Sequence, residues 1–238
     1  QVEGLVAIGE AAGTHGVYRP GGTALNAGQV GALRCARYIA ANRKGDPDDL
    51  SSSNQDRLHI WKEWIAALRS RPENAQNIAA HLRRSMSDGA GAFRSLSRME
   101  ELHEQVQSLL SHFPDPIGAG SGKTGLIQAL RLRDQLLTME VYLTAMMDYA
   151  KHCQHSRGSA LYQTVDGYLP HISSAVIPEL FRFLPDDGSL NHQIQETIYS
   201  PEGSTTNWRP VRPIPDRSSD FFENIWRGYR ENQNISDE

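Results

Sequence analysis

The sequence predicts a mainly α fold. An antiparallel bundle of three to four helices is preceded by the last strand, loop and helix of an α/β domain, and is followed by a small β-hairpin and a C-terminal helix. Three observations carry this. Between residues 54 and 153 the apolar residues recur every three to four positions in four successive segments. At the start, a short apolar stretch from Gly4 to Ile8 runs into a glycine-rich loop and then into a segment of helical period. Near the end, two stretches of extended character flank Pro201-Glu202-Gly203.

Gln1 to Ile8 reads as a strand, with Val2, Leu5, Val6 and Ile8 apolar. Glu10 to Gly22 is loop. From Ala24 to Asn42, Leu25, Val30, Leu33 and Ile39 alternate with the small residues Ala27, Gly28, Gly31, Ala32 and Ala36, which let a helix lie close to its neighbours. A strand this short has no sheet of its own to join. The expectation is therefore that residue 1 is not a natural start and that most of a nucleotide-binding domain lies upstream. Lys44 to Ser53 is polar and contains Gly45, Asp46 and Pro47, so the domain boundary is placed there: residues 1–50 and 51–238.

The four bundle helices follow. Asn54 to Arg69 has Leu58, Trp61, Ile65 and Leu68 on one face, and Pro72 ends it. Glu73 to Met86 carries Ile78, Leu82 and Met86, with a break at Asp88 to Gly91. Ser97 to Leu110 carries Met99, Leu102, Val106 and Leu109, and stops before Pro114 and Pro116. Thr124 to Cys153 carries Leu126, Leu130, Leu137, Val141 and Met146. Ser156 to Leu190 is less regular. Gln195 to Ser200 and Asn207 to Ile214 form the hairpin, with Pro210, Pro213 and Pro215 marking the second strand as an edge. Asp220 to Tyr229 is a short terminal helix.

Composition narrows the function classes. A chain of 238 residues with 39% hydrophobic and 22% charged residues can bury a core. Its net charge of −4 argues against a general nucleic-acid binder. No apolar run is long enough for a transmembrane helix. Two cysteines, Cys35 and Cys153, make no disulfide framework, and a reducing cytoplasm fits them best.

The chemistry concentrates in the first forty residues. Strand, glycine-rich loop and helix N-terminus together make a place for an anion or a cofactor edge: glycines allow close backbone approach, and the helix end supplies partial positive charge. Within this stretch Gly9-Glu10, His15-Gly16 and Arg19-Pro20-Gly21-Gly22-Thr23-Ala24-Leu25 resemble the flavoprotein subunits of succinate dehydrogenase and fumarate reductase. Leu82-Arg83-Arg84-Ser85-Met86 with Gly91-Ala92-Phe93-Arg94, Leu136-Leu137-Thr138-Met139-Glu140, Ser156-Arg157-Gly158-Ser159, Trp208-Arg209-Pro210 and Phe221-Phe222-Glu223-Asn224 extend the resemblance over most of the chain.

The resemblance implies an FAD-dependent oxidoreductase of the fumarate reductase and succinate dehydrogenase type, moving a hydride between flavin and a carboxylate-bearing substrate. It implies that Glu10 holds the FAD ribityl chain. Gly21, Gly22, Ala24 and Leu25 line the flavin, with the Ala24 and Leu25 amides at its pyrimidine edge. Arg19 clamps the substrate carboxylate through its planar fork, and His15, on the same loop, touches flavin or substrate. The chain departs from the family at Pro20, where leucine is common, and at Thr23-Ala24, where Asn-Ser is common; both put dicarboxylate specificity in question. The upstream G-x-G-x-x-G that holds the FAD pyrophosphate in this family, and the substrate-capping domain, are expected to lie outside this sequence. Alone, the chain is therefore expected to be inactive and to hold no flavin. The implied partners are the upstream FAD-binding half, an iron–sulfur electron-transfer subunit and a small carboxylate substrate, in a cytoplasmic or membrane-peripheral setting. An alternative is a helical docking module for an electron-transfer subunit.

Three other motifs carry less. Gly118-Ala119-Gly120-Ser121-Gly122-Lys123-Thr124 looks like a phosphate-binding loop, but Ile117 stands where that motif needs glycine and no buried strand precedes it. A flexible loop opening the fourth helix is the expectation. His152, Cys153 and His155 cluster at a helix end, but no second cluster supplies further ligands, so no metal is expected. Trp61 and Trp64 read as bundle core, and the arginines at 83–84 and 131–133 as solvated faces or inter-domain salt bridges.

Overall fold

The computed structural model describes residues 5–13, 22–42, 51–158, 160–171 and 176–211, with residues 51–54 described by backbone alone. The chain divides into two compact units, one containing Gln1–Leu50 and the other formed by Ser51–Arg212. The fold is mainly helical with a small antiparallel hairpin. The predicted helix at Asp220 to Tyr229 lies outside the described residues.

In the first unit, a 3₁₀ turn at Gly9–Ala12 precedes helix α1, Thr23–Asn42. The strand predicted over the start is not formed at Leu5 to Ile8. Ile8 is extended, with φ −132° and ψ 158°, but the described residues before Gly9 pair with no strand. An isolated extended segment gains no ladder hydrogen bonds, so extension alone does not make a strand.

The second unit is built on four helices: α2 Ser51–Arg69, α3 Ala75–Ala90, α4 Leu96–Ser111 and α5 Lys123–His152. The break predicted over Asp88 to Gly91 falls at its far end: α3 continues to Ala90 and stops at Gly91, and Gly89 packs closely against Arg98 of α4. The buried seam of α5 runs beside the apolar positions named from the sequence. Gly125, Ala129, Leu132, Leu136, Met139, Leu143 and Met147 face the core, whereas Leu126, Leu130, Leu137, Val141 and Met146 are half-buried at its flanks. Gly125 lets α5 approach the chain between α4 and α5, where a Cβ would stand 2.1 Å from the Ala119 carbonyl oxygen. Larger side chains then fill the wider middle against Leu82, Met99, Leu102 and Val106.

On α2, Leu68 is fully buried, but Leu58 and Trp61 are exposed, which corrects the placing of Trp61 in the core. Trp64 is half-buried: its ring meets Phe113 edge-on at 5.0 Å and carries the Arg133 guanidinium 4.8 Å above it. Arg133 is thus a packing group rather than a solvated charge.

Two short strands, β1 Phe93–Arg94 and β2 Leu161–Tyr162, pair in parallel. The hairpin consists of β3 Gln193–Ser200 and β4 Gly203–Pro210, so the second strand begins four residues before the predicted one (207 − 203). A two-residue turn, Pro201-Glu202, joins them, and Gly203 takes a positive φ of 122°. The hairpin is fixed to the last turns of α5. Gln195 Nε2 donates to the Ala145 carbonyl and to Asp148 Oδ2, Trp208 Nε1 donates to the same Asp148 oxygen at 2.7 Å, and the Trp208 ring stacks on His152 at 4.6 Å.

Candidate functional site

Of the residues expected to line a cofactor, the described ones lie on the 3₁₀ turn and at the start of α1. Gly9 adopts φ 61°, a left-handed conformation open to glycine, and a Cβ placed there would stand 3.1 Å from the Gly28 Cα. A Cβ on Gly31 would meet Ile8 and the Gly9 nitrogen at 3.5 and 3.4 Å. The glycines of α1 therefore bring turn and helix into backbone contact. Glu10 follows directly and is exposed. Gly22 lies in the turn that starts α1, with φ 83°, and Ala24 and Leu25 belong to the first turn of that helix, where amides have no intrahelical acceptor. The Leu25 side chain is 79% exposed. His15, Arg19 and Gly21 lie outside the described residues.

The glycine-rich loop before α5 is a packed connection, not a flexible one. The Gly118 N–H donates to Asn74 Oδ1 at 2.8 Å, the Ala119 N–H to the Leu68 carbonyl at 2.8 Å, and the Gly120 N–H to the Arg71 carbonyl at 3.0 Å. Ile117 and Ala119 are fully buried. A Cβ at Gly118 would stand 2.0 Å from the Pro72 carbonyl oxygen. The amides of Gly118, Ala119 and Gly120 are thus already bonded to protein acceptors, and Gly118 serves close approach between chain segments.

A second polar cluster lies at the α4–α5 contact. His103 Nε2 and Glu140 Oε2 are 2.7 Å apart, with side chains 16% and 3% exposed. The Ser204 amide donates to Glu140 Oε1 at 3.4 Å, so β4 completes the surround of a buried carboxylate. Glu140, Ser108, Ser111, Tyr199 and Glu202 line a cleft of about 420 Å³.

The third cluster is at the other end of α5. Cys153 and His155 meet Asp187, which arrives from the loop before β3, and one donor atom of each lies within 4.8 Å of the others. Sequence reasoning missed Asp187: only the tertiary path of residues 176–192 brings it to the helix end, and no local spacing signals it. Its carboxyl is held well below the usual range by the Ser189 hydroxyl and amide and then by His155. Nearby, the Tyr149 hydroxyl donates to the His155 carbonyl at 2.9 Å. Burial pushes its pKa well above the usual tyrosine value, with Cys153 adding to the shift.

No protein-family description matches the sequence, and no curated protein matches it. Solved structures share its fold. A chain of the Mycobacterium smegmatis Sdh1 complex in the apo form superposes with a TM-score of 0.63 at 21% identity, over 90% of this chain and 34% of that one. FrdA of E. coli quinol fumarate reductase, in a mutant form, superposes with a TM-score of 0.62 at 16% identity, over 91% of this chain and 35% of that one. The chain therefore spans about a third of the length of these solved chains. At such identities the likeness is one of fold, and no helix among the described residues is long and apolar enough to cross a membrane.

Proposed function

We propose that this chain is the C-terminal portion of an FAD-dependent oxidoreductase of the fumarate reductase and succinate dehydrogenase type. The observation that carries this reading is the shared fold over 90% and 91% of the chain with two enzyme-complex chains about three times its length. It coincides with the motif around Arg19, found from sequence independently of any superposition.

The residues present fit one edge of a flavin. Gly9 and Gly28 hold backbone against backbone at a separation a side chain would fill, and beside them α1 begins after Gly22 with its first amides directed out of the helix. Glu10 would accept hydrogen bonds from the ribityl hydroxyls. The Ala24 and Leu25 amides would stabilise negative charge at the pyrimidine edge, with Gly21 and Gly22 giving the backbone access. The bound flavin would supply the hydride exchange. Arg19 would hold the substrate carboxylate bidentately and fix the orientation of the neighbouring carbon, and His15 would line the same site. The remaining walls would come from an upstream FAD-binding half, so the chain alone would be inactive. The setting would be cytoplasmic or peripheral to a membrane, beside an iron–sulfur subunit.

The test is Arg19→Ala in the full-length protein. A lost charged hydrogen-bond pair should lower kcat/KM about ten- to hundredfold while FAD stays bound. Wild-type kinetics in that variant would remove the assignment.

The docking-module alternative is favoured by one feature, the exposed apolar pair Leu58 and Trp61, one turn apart on α2. Co-elution of the isolated chain with an iron–sulfur subunit on gel filtration, lost on Trp61→Glu, would support it.

A further inference from the structure

The end of α5 carries donor chemistry that the oxidoreductase reading does not use. Cys153 follows the last residue of the helix, and its amide donates to the Tyr149 carbonyl at 2.8 Å. His155 forms an isolated bridge to Leu184, and the next residue, Ser156, donates to the Leu184 carbonyl at 2.7 Å. This ties the helix exit to the segment that leads into Asp187. Asp187 is in turn oriented by the Ser189 amide, which donates to its Oδ1 at 2.9 Å and leaves Oδ2 directed to His155. All three donors therefore sit on backbone fixed by hydrogen bonds of its own.

Two features separate this cluster from an ordinary ion pair. A thiol, an imidazole nitrogen and a carboxylate oxygen converge within 4.8 Å of one another, a mixed donor set that a plain His–Asp contact does not require. In addition, the His155 Nδ1 atom is buried, with Asp187 Oδ2 3.0 Å away and poorly aligned for an N–H donor. With its proton on Nε2, the neutral ring would present the Nδ1 lone pair towards the thiol and the carboxylate, as a metal ligand does.

We propose that Cys153, His155 and Asp187 form a binding site for a zinc-type divalent transition metal. Thiolate, imidazole and carboxylate suit a borderline-soft ion. Three protein ligands leave one position for water, on the side where the Asp187 side chain is 45% exposed. Donors in a tetrahedral zinc site are about 3.5 Å apart, given bonds of about 2.0–2.3 Å. His155 Nδ1 and Asp187 Oδ2, 3.0 Å apart, already lie near that spacing, and no donor of the three is more than 4.8 Å from another. The bound ion would clamp the loop before β3 to the end of α5. The site is independent of the flavin assignment and stands whether or not that assignment does.

The probe is Co²⁺, a spectroscopic substitute for Zn²⁺, titrated into the purified protein under reducing conditions. The expected result is one equivalent bound, with a near-ultraviolet thiolate charge-transfer band and intense visible d–d bands that Zn²⁺ abolishes. Cys153→Ser should remove the charge-transfer band while Cys35→Ser keeps it. His155→Ala and Asp187→Asn should each weaken binding at least tenfold, with far-ultraviolet circular dichroism confirming that the variants fold. Zn²⁺ should raise the melting temperature of the wild type and not of the Cys153→Ser protein. Absence of the thiolate band in the folded wild type would overturn the proposal. So would a band retained at full affinity in both His155→Ala and Asp187→Asn.

Discussion

His103 on α4 and Glu140 on α5 face each other with Nε2 and Oε2 2.7 Å apart, and the glutamate side chain is 3% exposed. The pair sits where α4, α5 and the start of β4 meet, since the Ser204 amide also points at Glu140. A buried carboxylate is tolerable when its partner is present and costly when it is removed. His103→Leu should therefore lower unfolding stability by about 3 kcal/mol, read from urea denaturation. The double variant His103→Leu/Glu140→Met should recover most of that loss. A single variant as stable as wild type would show the pair to be energetically idle.

The seam of α5 distinguishes adjacent leucines. Leu136 is fully buried and Leu137 lies at the flank. Leu136→Ala should cost about 2–5 kcal/mol through lost burial and a residual cavity, and Leu137→Ala about 1 kcal/mol. Equal losses in thermal or chemical denaturation would contradict the observed rotation of the helix.

Gly118→Ala tests the reading of the glycine-rich loop. Its Cβ would meet the Pro72 carbonyl oxygen at 2.0 Å, so the backbone must shift, and a loss of about 2 kcal/mol or more is expected. Asn74→Ala should cost about 1–3 kcal/mol, because its Oδ1 accepts from the Gly118 amide and its Nδ2 donates to the Pro116 carbonyl. ATP should leave the melting temperature unchanged. An ATP-dependent rise would reinstate the phosphate-loop reading.

Tyr149 gives a pH dependence. Its folded pKa is raised, first by burial and then by Cys153, above the unfolded value of about 10. The native state then holds the phenolic proton more tightly than the unfolded chain does. Stability from this source is complete below about pH 10 and falls as pH rises towards the folded pKa. Tyr149→Phe should flatten the alkaline limb of the stability profile, while costing about 1 kcal/mol at neutral pH for the lost bond to the His155 carbonyl. An unchanged alkaline slope would count against this cause.

The bundle was legible because its helices are long and amphipathic, and proline or glycine marks several of their ends. Leu68, Leu82, Met99, Leu102 and Val106 occupy the core as their spacing required. The α5 seam was not legible, because Gly125, Ala129 and the charged Glu140 lie on it, and apolar periodicity gives such residues little weight. Leu5 to Ile8 has strand composition, but pairing depends on a partner that local sequence does not encode. The parallel contact of Phe93–Arg94 with Leu161–Tyr162 is two residues long and joins distant segments, beyond the reach of any pattern. Asp187 was missed for the same reason, whereas Cys153 and His155 were visible as neighbours. Of the proposed flavin-site residues, Glu10, Gly22, Ala24 and Leu25 are described, and their part in a site still rests on the motif.

The meeting of the 3₁₀ turn and α1 also ranks three letters that look identical in the sequence. At position 9 both the sign of φ and a 3.1 Å approach to another backbone oppose any side chain. At position 31 a Cβ would be tight but tolerable, and at position 28 it would meet nothing within 4 Å. In a search for distant kin, where overall identity has fallen to the level of chance, a mismatch at 28 would say little. A mismatch at 9 would be grounds to reject the candidate.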